Sequence, residues 1–145
     1  MSKIDAVSKW IEYVSVKRKE LGGHAICPFA AAASVEVIEC NLSDIALNSD
    51  LNAEIIIFIV EDDISEAALL QSVSMLNMEQ NEYIVLDDHK HDPSYINGIQ
   101  TNFGKYNIVL CSKVDKLEQA RKSLHQTDYY SYWSPKMYTR IVHGK

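Results

Sequence analysis

The sequence predicts an α+β domain of the ferredoxin-like, split βαβ type, with one helix and one strand added at its N-terminal side. Three observations carry this expectation. Residues 54–60 (EIIIFIV) form a short, almost unbroken apolar run rich in β-branched side chains, the pattern of a strand buried on both faces. From there the hydrophobic periods alternate as strand, helix, strand, strand, helix, strand, which is the split βαβ order. The chain has 145 residues and is 47% apolar, enough for a single domain over 1–145 with an ordinary core.

Each element has a local reason. Ser2 stands at a helix N-cap, and Ile4, Val7, Ile11, Val14 and Leu21, with Trp10 beside them, recur at helical spacing. Gly22 and Gly23 end that helix, since glycine readily adopts the left-handed conformation of a C-cap. Ala30 to Ala33 suggest a short helix with Pro28 in its first turn. Residues 34–40 alternate Val35 and Val37 with Glu36, a strand with one wet face that pairs beside 54–60. A polar stretch over 41–52 allows one helical turn at 43–47. Asp63 is placed to cap a helix running to Asn77, with Glu66 at the capping-box spacing and a core stripe from Ile64 to Leu76. Residues 83–86 (YIVL) and 106–111 (YNIVLC) read as strands, separated by a loop with Pro93, Gly98 and Gly104. The first of these is expected at an inner or near-inner position of the sheet. Residues 114–124 read as a helix, and 137–142 as the last strand, after an aromatic stretch ending at Trp133.

Composition narrows the function. The net charge is −6, and Lys17, Arg18 and Lys19 are the only basic run. A nucleic-acid backbone binder needs a concentrated basic face, so no nucleic-acid partner is expected. The three cysteines, Cys27, Cys40 and Cys111, are scattered and odd in number, which points to a reducing, cytoplasmic setting rather than a disulfide framework. The first residues lack the apolar core of a signal peptide. The longest apolar run is far too short to span a bilayer, and no membrane partner is expected.

Two segments concentrate reactive side chains. In GGHAICPFA (22–30) Cys27 stands where a short helix begins. A helix N-terminus favours thiolate, and His24 lies three residues away as a candidate base. The alternative is a buried thiol acting as a small hydrophobe. In DDHKHD (87–92) His89 and His91 share one face of an extended chain and are candidate ligands for a divalent metal, with Asp87 or Asp92 as carboxylate partners. Asp88 is the candidate orienting carboxylate of a catalytic group with Cys27 and His24. A pocket is expected where the two segments meet. Arg140 is a candidate anchor for a carboxylate or phosphate, and Arg121 a second. The Tyr129, Tyr130, Tyr132 and Trp133 cluster suits sheet cover or a protein interface. No G-x-G-x-x-G, P-loop, G-x-S-x-G or H-E-x-x-H motif occurs.

ICPFA, preceded by a helix carrying Trp10, resembles the opening signature of a bacterial family of uncharacterised proteins in which W is followed by LCPFA. The resemblance covers about the first 30 residues, and the interval from Trp10 to Cys27 is longer here by a Lys/Arg/Glu turn. It implies no reaction, but marks Cys27, Pro28 and Phe29, the last two as candidate ligand contacts. The expectation is a small binding or assembly protein that takes a small molecule, a protein partner or further copies of itself. The alternative is a small enzyme that uses Cys27 as nucleophile or a His/Cys metal centre.

Overall fold

The computed structural model describes residues 2–47, 51–90 and 94–143. In chain order these form helix α1 (Lys3–Ser15), strands β1 (Lys17–Arg18) and β2 (His24–Ala25), helix α2 (Pro28–Ala32), strands β3 (Val35–Cys40) and β4 (Ile55–Val60), helix α3 (Glu66–Glu79), strands β5 (Tyr83–Asp88), β6 (Tyr95–Ile96), β7 (Ile99–Gln100) and β8 (Asn107–Lys113), and helices α4 (Val114–Leu124) and α5 (Pro135–His143).

The architecture is mixed α+β around a mixed four-stranded sheet of order β3-β4-β8-β5. The apolar run is its central strand: all six residues of β4 are buried. Their side chains alternate between two cores. Ile56, Phe58 and Val60 pack with Val109, Cys111, Val85 and the α3 residues Leu69 and Val73. Ile55, Ile57 and Ile59 pack with Ile108 and with Val7 of α1. β3 lies beside β4, as expected, and pairs with it in parallel from Val35↔Ile55 to Cys40↔Val60. β8 lies antiparallel between β4 and β5, so β4-α3-β5 is a split βαβ unit.

Several expectations are corrected. Residues 137–142 are no strand; they lie within α5, so the fourth strand expected of a ferredoxin-like sheet is not supplied by this segment. β3 holds the place beside β4. Ser134 and Pro135 decide this locally. The Ser134 hydroxyl accepts the Met137 amide at 3.1 Å, and proline suits a first helical turn. α1 stops at Ser15 rather than at the glycines. Its last carbonyls are taken by side chains and by the returning chain: Ser15 Oγ donates to Ile11 O at 2.7 Å, and the Cys27 amide to Val14 O at 2.8 Å. Gly22, with φ +65°, instead closes the short 3₁₀ turn Lys19–Leu21. α3 is capped by Ser65, which accepts the Ala68 amide at 3.1 Å, while Asp63 pairs with Lys90 Nζ at 3.0 Å.

β5 is an edge strand, not an inner one. At Tyr83 and Val85 its outer backbone groups are nevertheless bonded. The carboxamide of Asn77 on α3 accepts the Val85 N–H and donates to the Val85 carbonyl, both at 2.9 Å. The Gln80 carboxamide does the same for Tyr83, at 2.8 and 2.9 Å. Two side-chain amides thus stand where a neighbouring strand would.

Candidate ligand pocket

The sheet face opposite α3 is covered unequally. α1 and α2 pack over its β3–β4 half. The β8–β5 half, which presents Ile108, Leu110 and Leu86, is roofed by the 3₁₀ turn Tyr129–Tyr132 and by α5. Between roof and sheet lies a cavity of about 450 Å³. Trp10 and Ile26 close it on the N-terminal side, and Ser94, Tyr95, Thr101 and Asn102 on another. Trp133, Met137 and Ile141 make the apolar roof, with Lys136 and Arg140 among them. Both tryptophans of the chain line this one space.

Two adjacent carboxylates at the end of β5 have different tasks. Asp88, 7% exposed, organises the loop after it. Its Oδ1 accepts the Gly104 amide at 3.0 Å and Asn102 Nδ2 at 3.1 Å, and its Oδ2 accepts the Phe103 amide at 2.7 Å. Asn102 in turn accepts the Ser94 amide at 2.8 Å. Burial pushes the Asp88 carboxyl above the usual carboxylate range, while the three donors pull it back. Asp87 faces α5, where its Oδ2 lies 3.4 Å from Arg140 Nη2. The Asp87 side chain is 7% exposed and that of Arg140 38%, so the pair joins the sheet to the roof at the rim of the cavity.

The two segments singled out in the sequence meet at this cavity through Ile26 on one side and Asp87 and Asp88 on the other, but Cys27 and His89 are not among its lining residues. Cys27 packs with Val14, Leu21 and Ile26 on the α1 side. His89 donates from Nε2 to the Ile64 carbonyl at 3.0 Å, and Ile64 packs against the α3-side core. His91 lies outside the described residues. Among the described residues no group of three or more His, Cys, Asp or Glu side chains is placed to hold a metal ion. His24 Nε2 is 2.7 Å from Asp128 Oδ1, which holds the Asp128 carboxyl below its usual range. Asp88 is occupied by backbone and amide donors rather than by an imidazole. Pro28 and Phe29 line a separate apolar cleft of about 250 Å³ against α4. Of the expected site residues that are described, Asp87, Asp88 and Arg140 line the large cavity.

Cys27 does not have the surroundings of an activated thiol. Burial raises its pKa, and this outweighs the lowering effect of the Ala30 and Phe29 amides at the start of α2. Cys111, wholly buried in the sheet, is pushed up to about 12 by the same cause. Iodoacetamide should therefore alkylate Cys27 of the folded protein at pH 8 at least about tenfold more slowly than in the urea-unfolded chain. Peptide mass spectrometry of timed samples measures both rates. Equal or faster labelling in the folded state would revive the nucleophile.

Compared with known proteins, the chain matches no protein-family model, and no curated protein or solved structure shows significant similarity to it. Among the described residues no helix is long and apolar enough to cross a membrane. The pocket expected between the two segments has Ile26, Asp87 and Asp88 in its lining; what sequence reasoning missed is the rest of its walls and its roof. Its walls come from α1, β5, β8 and α5, which lie far apart in the chain. The one local sign was Ser134-Pro135, a helix start that turns 137–142 from a sheet strand into a roof.

Proposed function

We propose that this protein binds a small organic molecule in the cavity between the β8–β5 half of the sheet and the α5 roof. The observation that carries this is the cavity's makeup. A space of about 450 Å³ falls within the roughly 300–1,000 Å³ of small-molecule sites, and it has their mixture of aromatic walls and a few convergent polar groups. The Asp88 network fixes the loop wall in advance, so little ordering remains for the ligand to impose. The three cysteines are free thiols, which fits a reducing, cytoplasmic setting. The split βαβ kernel supports kinship with ferredoxin-like sheets, with β3 in the place of their fourth strand. Such a fold assigns no reaction by itself.

The two tryptophans make the test direct, because a ¹⁵N-labelled sample gives two indole N–H resonances and both side chains line the site. Titration with indole, naphthalene-2-carboxamide and naphthalene-2-carboxylate should move both resonances saturably for at least one probe. Leu110→Phe, which fills the cavity from the sheet side, should abolish the shift while circular dichroism stays native. If no probe at millimolar concentration moves either resonance, or Leu110→Phe changes nothing, the cavity is not a binding site.

A further inference from the structure

The polar groups around the cavity do not balance, and the imbalance has a direction. On the acceptor side, Asp88 already holds three N–H donors on its two oxygens. Asp87 already faces Arg140. The Thr101 hydroxyl donates to the Ser94 carbonyl, and Asn102 is engaged at both ends of its amide. On the donor side, Lys136 and Arg140 stand four residues apart on α5, so they share one helix face. Both line the cavity, with Asp87 as the carboxylate paired there.

Resting on the small-molecule reading above, we infer that the ligand is an aromatic or conjugated carboxylate, its ring held among Trp10, Trp133 and Met137 and its charged end at Lys136 and Arg140. A flat ring suits the indole-lined walls, where aromatic faces and edges pack with defined geometry. A carboxylate suits guanidinium and ammonium together, since the first offers paired N–H groups and the second a mobile point charge. A cationic ligand meets two like charges at the same rim. Asp87 then has a definite role. It competes with the incoming carboxylate for Arg140, holds the guanidinium at the rim while the site is free, and yields part of that contact on binding.

Three probes of one shape separate these statements: naphthalene-2-carboxylate, naphthalene-2-carboxamide and naphthalen-2-ylmethylammonium, each titrated into the full chain by calorimetry and by the indole resonances. The carboxylate should bind at least about tenfold more tightly than the other two. Lys136→Gln, a change at an exposed position, should weaken the carboxylate about three- to fivefold and leave the carboxamide unaffected. Asp87→Asn should tighten the carboxylate and not the carboxamide, a gain that loss of a merely structural ion pair does not produce. Binding of the carboxamide equal to that of the carboxylate overturns the charge inference while the cavity remains a binding site. Silence from all three probes sinks the small-molecule reading itself. Preference for the ammonium probe, or loss of carboxylate affinity in Asp87→Asn with the fold intact, reverses the assignment of charge.

Discussion

Asp88→Ala is expected to lower the free energy of unfolding by about 3 kcal/mol at neutral pH, because three N–H donors lose their acceptor inside the protein. Asp88→Asn should recover only part of this. One amide oxygen can still accept from Gly104 and Asn102, but the amide NH₂ then faces the Phe103 N–H, donor against donor. The pH dependence has a defined sign. Burial raises the carboxyl of the folded state above its unfolded value near about 3.9. The stability it contributes is therefore fully present below that value, and declines as pH rises through the folded value. The deficit of Asp88→Ala should be largest near pH 4 and smaller at pH 7. Urea unfolding of both proteins across this range measures it, and a deficit that grows with pH would show that the amide donors outweigh burial.

The second large effect belongs to β4. Ile59 is 0% exposed and packs among Ile55, Ile57, Ile108 and Val7 on the α1 side. Ile56, also 0% exposed, packs on the α3 side. Truncating either to alanine should cost about 2–5 kcal/mol, the lost transfer energy plus the cavity left behind. The two should differ in consequence. Ile59→Ala loosens the layer that holds Trp10, and so should weaken binding of a probe that fits the large cavity. Ile56→Ala should cost stability alone. Chemical denaturation and the indole resonances of each variant separate the two outcomes, and equal effects on binding would show that the layers are not independent.

Much of the layered core was legible because each of its parts leaves a local mark. EIIIFIV can be little else than a strand covered on both sides, and 114–124 carries its own helical stripe. Val35, Glu36 and Val37 announce a strand with one wet face, and it pairs beside β4. The extent and roof of the pocket were not legible for a different reason. Whether α1 covers all or half of a sheet face depends on helix placement, and no period in the sequence encodes that. Residues 137–142 show the competition plainly. The β-branched Thr139, Ile141 and Val142 favour extended chain, but Ser134 and Pro135 start a helix that turns Met137 and Ile141 toward the cavity. Asp88 was marked as important from its place beside His89, yet it serves the loop that follows it. An acidic residue at the end of a strand can turn toward backbone amides as readily as toward an imidazole, and the sequence does not distinguish the two.

The carboxamides of Asn77 and Gln80 have a consequence for how copies of this chain meet. An open strand edge is a template on which another polypeptide can lay itself down, the first step toward fibrils and swapped dimers. Here the template is already occupied at Tyr83 and Val85 by amide groups that mimic a backbone. That guard rides on α3 and on the residue that ends it. It exists only once the helix has settled against the sheet. A chain whose β5 is paired with β8 before α3 has docked would therefore expose Tyr83 and Val85 to other chains, and Asn77→Ala with Gln80→Ala is expected to leave the same edge open in the folded protein.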